Sequence, residues 1–196
     1  MPPDERALLA QIATGDQHAM KCLYALYRQR LWSYLYHQLA GDAGWTEEVT
    51  QDVFLAVWRS ADTYRGEAQV GTWLFRIAHN LAANARRTRR RHPLGQPFQT
   101  ADDGDEPAEP VVTYDSHEEA VLDRLMLQQA LDHLSPRHRE VLDLAFYQGF
   151  GSAEIALILG VPEGTVKSRI SYARKALSAC LQQLNAREGV VEEEVQ

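Results

Sequence analysis

The sequence predicts an all-α protein of two small helical domains joined by a flexible acidic linker, the second domain containing a helix-turn-helix. Three observations predict it. Apolar residues recur at steps of three and four through most of the chain, and no stretch alternates in the manner of a strand. Between His92 and His117 the periodicity stops. Near the carboxy terminus a short apolar helix, a glycine and a second amphipathic helix follow one another at helix-turn-helix spacing. The bounds are 1–91 for the first domain, 92–117 for the linker, 118–184 for the second domain and 185–196 for an acidic tail.

In chain order, residues 4–14 form a short helix on Leu8, Leu9 and Ile12, ended by Gly15. Asp16 suits the cap of a helix running to about Leu39, with Met20, Leu23, Leu26, Tyr27, Leu31, Tyr34 and Leu35 on its apolar side. Residues 41–44 turn, and Thr46 starts a third helix through about Arg59, apolar at Val49, Val53, Phe54, Val57 and Trp58. After a loop from Tyr64 to Gly71, Thr72 caps a fourth helix that ends in Arg89-Arg90-Arg91. Its buried stripe is Leu74, Ile77, Ala78 and Leu81. Trp73, Arg76, His79, Asn80, Asn84, Arg86 and Arg87 leave a mixed aromatic and polar face. Aromatics beside amides and arginines suit unstacked bases and a single-strand backbone. A core Trp73 with a solvated arginine tail fits the same spacing, and both readings stay open at this point.

From His92 to His117 the chain carries Pro93, Pro97, Pro107 and Pro110 together with Asp102, Asp103, Asp105 and Glu106. Such a composition buries too little apolar surface to order itself. Glu118 to Leu134 is an amphipathic helix. Ser135 and Pro136 then open a helix over Arg137–Tyr147, closed by Gly149, and the tail is expected to be disordered.

The helix-turn-helix spans Ser152 to Leu184. Ile155, Ala156 and Leu159 share one face of its first helix, Gly160 allows the turn, and Pro162 starts the second helix. There Val166, Ile170, Ala173, Leu177, Leu181 and Leu184 form an inward stripe. The opposite face holds Ser168, Ser171, Tyr172 and Lys175, flanked by Lys167 and Arg174, with no acidic residue between Thr165 and Ala179. Donors without acids suit a helix laid in a major groove.

The net charge of −7 would seem to oppose nucleic acid, but its distribution reverses that. Residues 1–91 net +3 and residues 124–184 net +2, whereas residues 92–123 carry 9 acidic and no basic residues. Two basic blocks flank an acidic one. Cys22 and Cys180 make no CxxC pair, and no ligand spacing suggests a metal or other cofactor. No apolar run is long enough to insert in a membrane, so a cytoplasmic location is expected. Nothing resembles a P-loop, a nucleophile elbow or a paired-carboxylate site, and no enzyme activity is expected.

Two separate motifs carry a family resemblance. Glu47-Glu-Val-Thr-Gln-Asp-Val-Phe-Leu-Ala-Val-Trp58 and Thr72-Trp-Leu-Phe-Arg-Ile-Ala-His-Asn-Leu81 in the first half resemble the core-polymerase-binding and promoter-melting helices of bacterial sigma factors of the extracytoplasmic-function type. Gly164-Thr-Val-Lys-Ser-Arg-Ile170 in the second half resembles that family's final DNA-reading motif. The resemblance implies a transcription initiation factor whose first domain is sigma region 2 and whose second is sigma region 4. It implies that Glu48, Gln51, Asp52, Phe54 and Trp58 dock on the beta-prime clamp helices of core RNA polymerase. Tyr64, Arg65, Trp73, Arg76, His79, Asn80, Arg86 and Arg87 would meet the minus-ten element of promoter DNA. Thr165, Lys167, Ser168, Arg169, Ser171, Tyr172, Arg174 and Lys175 would meet the minus-thirty-five element. The linker would thread toward the polymerase cleft, and an anti-sigma factor would cover exposed Phe54 or Trp58. His79 departs from the arginine often found there in the family, and Asn84 from the aspartate.

Two other readings remain. A helix-turn-helix regulator acting without polymerase would leave the Trp73–Arg87 face without a use. An all-helical module that only sequesters a partner would make no sequence-dependent promoter contact.

Overall fold

The computed structural model describes residues 4–91, 130–131 and 134–193, with side chains through Gln182. The predicted linker, and the helix expected from Glu118 as far as residue 129, lie outside the described residues. Among the described residues every regular element is helical. A short and a long helix come first, each with an aspartate cap. Helix α1 (Glu5–Ala13) is opened by Asp4, whose carboxylate accepts from the Arg6 and Ala7 N–H groups. As expected, Asp16 does the same for α2 (Gln17–Gln38), accepting from His18 and Ala19. Each such cap satisfies orphan first-turn donors and contributes about 1 kcal/mol.

Helix α3 (Ala43–Ser60) starts earlier than the sequence suggested. Its cap is Asp42 rather than Thr46: the carboxylate accepts from the Trp45 N–H at 3.0 Å, while Thr46 is buried and donates its hydroxyl to the Asp42 carbonyl. A carboxylate is the stronger acceptor at a helix start. The same carboxylate receives Arg89 of α4 (Val70–Arg91) at 2.9 Å, and that guanidinium lies over the Trp45 ring. The Trp45 N–H and the Arg89 bond hold the Asp42 carboxyl below the usual aspartate range. Helix α4 also starts before its expected cap. Thr72 lies within its first turn, buried, and Gly71 is there because a Cβ would come within 3.2 Å of the Tyr27 hydroxyl. Leu74, Phe75, Ala78 and Ala82 are buried on α4, whereas the predicted Ile77 and Leu81 are half-buried. The buried stripe is therefore turned toward Phe75.

In the carboxy-terminal part, α5 (Pro136–Leu142) begins at Pro136, as predicted, and widens into a π-helical turn at Asp143–Tyr147. Helix α6 (Ser152–Leu159) is opened by Glu154, which accepts from the Gly151 N–H at 3.0 Å, and ends at Gly160 with φ +65°. Helix α7 (Glu163–Glu193) follows, with the Pro162 carbonyl accepting from Val166. Pro162 thus caps the helix instead of forming its first turn. Ile155, Ile158, Val166 and Ala173 are buried between these helices. The tail expected to be disordered continues the α7 backbone to Glu193, in keeping with the helix-forming Ala186, Arg187 and Glu188 and the lack of a proline.

The packing of the two halves on each other carries no sequence signature. One continuous cluster of buried side chains takes in Leu74, Phe75 and Ala78 of α4 together with Val141, Leu144, Ile155 and Ile158. Phe75 is the hinge of this cluster, packed against Tyr34 at 5.3 Å and edge-on to Phe150 at 4.9 Å. That second packing partner explains why Phe75 displaces Ile77 from the buried stripe.

A side chain at Gly160 would meet nothing within 4 Å, so the cost of adding one is conformational alone. Gly160→Ala should lower the unfolding free energy of the full chain by about 1–2 kcal/mol. Gly160→Asn should lose less, and urea titration followed by circular dichroism measures both.

Candidate nucleic-acid and protein interfaces

Helix α4 presents three faces, and only one is free. Its inner stripe packs on α2 and α3. A second flank meets the carboxy-terminal helices: the Thr72 hydroxyl donates to Glu154 at 3.0 Å, Phe75 meets Phe150, and His79 Nδ1 lies 2.8 Å from Glu140. The third strip carries half-buried Trp73 with exposed Arg76, Asn80 and Arg87. Beside it opens a cleft of about 400 Å³, lined in part by Tyr64, Arg65, Thr72, Trp73 and Arg76. Tyr64 holds its shape, donating its hydroxyl to the Ala68 carbonyl at 2.6 Å and standing edge-on to Trp73 at 5.5 Å. The cleft therefore offers an aromatic wall, two guanidinium groups and a fixed loop, which suits an extruded base and its backbone.

Of the residues expected on this surface, two are held elsewhere. Arg86 donates to both the backbone carbonyl and the side-chain oxygen of Gln38, satisfying the end of α2. His79 is turned into the contact with Glu140. The sequence missed Leu157 of α6, which completes the cleft wall and is 47% exposed. An apolar residue on a short helix gives no advance signal of that role.

A second surface lies between α2 and α3. Gln17, Met20, Tyr24, Phe54, Leu55 and Trp58 line much of a groove of about 650 Å³. Gln51 stands on its edge, and exposed Glu48 and Asp52 share its helix. Phe54 corrects an expectation: it is 5% exposed, packed at 4.7 Å on Tyr24, and forms the floor of the groove instead of projecting from it. Trp58 is half-buried. The exposed apolar groups are Leu55 and Tyr24, at 50% and 37%, neither of which periodicity singled out. A groove with an apolar floor and an acidic helix beside it fits a basic, amphipathic helical partner.

The third surface is α7. Lys167, Ser168, Ser171, Tyr172, Arg174 and Lys175 are exposed on it, with Thr165 and Arg169 half-buried. Lys167 pairs with Glu163 one turn earlier at 2.8 Å, an exposed contact that a phosphate can replace at little cost. Ser168 donates to the Thr165 carbonyl, and Tyr172 stacks on His138 of α5 at 4.6 Å. Lys167, Ser171, Arg174 and Lys175 line one shallow concavity, so the predicted cationic face forms a single patch.

Between these surfaces Glu140 is buried with Tyr34. One carboxylate oxygen accepts the Tyr34 hydroxyl at 2.8 Å and the His79 Nδ1–H at the same distance. An ionised carboxylate only accepts, so His79 carries its proton on Nδ1. Burial pushes the Glu140 carboxyl up, but the bond and field of His79, the Tyr34 hydroxyl and Arg86 outweigh it and hold it below the usual glutamate value. Burial and the neighbouring Glu140 raise Tyr34 far above the ordinary tyrosine value, so it remains a neutral donor. Neither Tyr34 nor Glu140 was a predicted site residue.

Comparison with known proteins places the chain in one family. Residues 23–92 match the family model described as Sigma-70 region 2, and residues 124–177 match Sigma-70, region 4. The chain is 35% identical over 180 residues to the ECF RNA polymerase sigma factor SigL of Mycobacterium tuberculosis, an alignment covering 91% of this chain and 97% of that one. Its fold is similar to CnrH, solved in complex with the cytosolic domain of CnrY, with a TM-score of 0.66, 27% identity, and 92% and 99% of the two chains covered. It is also similar to RpoE of Bartonella quintana, solved with the anti-sigma factor NepR, at a TM-score of 0.63 and 26% identity over 83% and 96% of the two chains. Groove, aromatic cleft and cationic helix thus occur on a chain that carries both conserved sigma regions, and the protein belongs to the extracytoplasmic-function sigma factors of the sigma-70 family, acting in transcription initiation.

Proposed function

We propose that each of the three surfaces serves one step of initiation. The α2–α3 groove takes the beta-prime clamp helices of core RNA polymerase. Leu55, Tyr24 and Trp58 supply the apolar contact there, with Gln51, Glu48 and Asp52 at the rim and Phe54 as a buried support. The cleft at Tyr64, Arg65, Trp73 and Arg76 takes a base extruded from the non-template strand of the minus-ten element. Asn80 and Arg87 continue that contact along the backbone. The α7 patch reads the minus-thirty-five element, with Lys167 and Arg169 at the groove entrance and Ser168, Ser171, Tyr172, Arg174 and Lys175 beside them. The chemistry is recognition and stabilisation of melted DNA, with no covalent step assigned to any residue.

The observation that carries this reading is the strip of α4. Trp73 stands at an open cleft, edge-on to a hydrogen-bonded Tyr64, with Arg76 in the same wall. A duplex-only regulator has no use for an aromatic cleft beside a cationic helix. An anti-sigma factor is the expected inhibitor, since CnrH and RpoE were each solved with a protein partner, NepR being an anti-sigma factor. The groove residues Leu55 and Tyr24 are the contacts it would cover. Among the described residues no helix is long and apolar enough to cross a membrane.

Leu55→Asp places a charge on an exposed position and should weaken core-polymerase binding at least tenfold while leaving duplex binding unchanged, as measured by fluorescence anisotropy. Normal polymerase affinity would remove the groove from the account. Trp73→Ala should reduce open-complex formation by roughly tenfold or more, the worth of one stacked base, without altering closed-complex affinity. Lys167→Ala should lower minus-thirty-five affinity across sequences and reduce the salt slope by about 1. An unchanged slope would take Lys167 off the DNA.

A further inference from the structure

Helix α5 carries one side chain for which the three surfaces have no use. His138, in its first turn, is half-buried and lays its ring against Tyr172 of α7, with centroids 4.6 Å apart and planes 29° from parallel. Such near-parallel rings form an offset stack. On its edge, His138 Nδ1 shares a hydrogen bond with the Ser135 hydroxyl at 2.9 Å. Ser135 opens α5, and a serine in that place ordinarily turns its hydroxyl to the N–H groups of the first turn. It makes no such cap in this helix, and the hydroxyl is committed to the imidazole instead. His138 is thus fixed twice, by Ser135 at its edge and by Tyr172 on its face.

The backbone beneath the stack is fixed as well. Ala173, next to Tyr172, is fully buried with Leu134 and Leu142 where α5 packs on α7. Leu142 lies one turn beyond His138, so the stack stands at the solvent edge of a packed contact.

Tyr172 is otherwise uncommitted. It is 60% exposed, and among the described residues its hydroxyl has no hydrogen-bond partner. It stands one turn after Ser168 and one turn before Lys175, on the outer face of α7. The Ser168 hydroxyl is turned back onto the Thr165 carbonyl, which leaves Tyr172 with the longest neutral donor on that face. Base edges in a major groove present acceptors at purine N7 and thymine O4, within the chemistry of a phenol. A solvated tyrosine would lose rotamer freedom on meeting a base. One already stacked has lost it beforehand, and its hydroxyl is aimed the same way at every sequence offered.

We propose that Tyr172 reads one base pair of the minus-thirty-five element through its hydroxyl, and that His138, held by Ser135, is the positioning residue that aims it. This rests on the assignment of α7 to that element. Lys167 and the other cations of the patch answer to phosphates, which carry no sequence information. Discrimination at the position facing the stack falls to Tyr172.

The test uses the full chain in complex with core RNA polymerase. The probes are duplexes built on one promoter mapped by its start site, with the minus-thirty-five element randomised, and the bound sequences are counted. Tyr172→Phe should cut the preference at one base pair by about fivefold, the order of one hydrogen bond, and leave the other positions unchanged. His138→Ala should flatten the same position by about threefold, and Ser135→Ala should do so more weakly. His138→Phe keeps a stacking ring and should restore most of the preference. In a Tyr172→Ala background His138→Ala should change nothing further, and the salt slope should stay at the wild-type value in both His138 variants. A His138→Ala protein that loses affinity equally for all sequences, with a salt slope smaller by about 1, would show the imidazole on a phosphate and overturn its positioning role. Unchanged base preferences in His138→Ala and Tyr172→Phe, with Lys167→Ala still reducing the slope, would leave α7 on the DNA and remove this pair from its reading. No effect of Lys167→Ala either would trace the failure to the assignment of α7, and the proposal falls with it.

Discussion

Helix α4 has to satisfy two partners at once, and the rest of the structure follows from that. Its inner stripe completes the core made by α2 and α3, while the flank bearing Thr72, Phe75 and His79 is covered by the carboxy-terminal helices. Only a narrow strip with Trp73, Arg76 and Asn80 is left to face outward. The ends of α4 are fixed in turn. Gly71 lets its start approach Tyr27, and Arg86 and Arg89 tie its last turns to Gln38 and Asp42. A helix held at both ends offers its aromatic side chain in a set position, which is what stacking on a single base requires.

The buried carboxylate of Glu140 shows how polar groups are used at this junction. Left alone it would be costly, and with two donors on one oxygen it becomes a specific connection between α2, α4 and α5. Around it the contact is mixed: aromatic at Phe75 and Phe150, cationic at Arg30, polar at Thr72 and Glu154.

Much of this was legible in the sequence. The helices, the acid cap at Asp16, the proline start of α5, the turn at Gly160 and the exposed cationic patch of α7 all follow from spacing and local chemistry. What was not legible depends on contacts distant in the chain. Threonine and aspartate are both good caps, and the choice of Asp42 over Thr46 is settled by Arg89, 47 residues away. Arg86 looks like a DNA contact until Gln38 is placed beside it. Phe54 reads as an exposed aromatic until Tyr24 covers it. Phe75 is missing from the predicted stripe and His79 stands on the predicted DNA face, because periodicity describes one buried face and α4 has two.

A sigma factor programs RNA polymerase to start at particular promoters. The most direct test adds the purified protein to core RNA polymerase and transcribes a pool of genomic fragments, mapping the new 5′ ends. Start sites absent with core enzyme alone, sharing two sequence elements separated by a fixed spacer, are expected. Stable binding to duplex fragments with no factor-dependent start sites would contradict it.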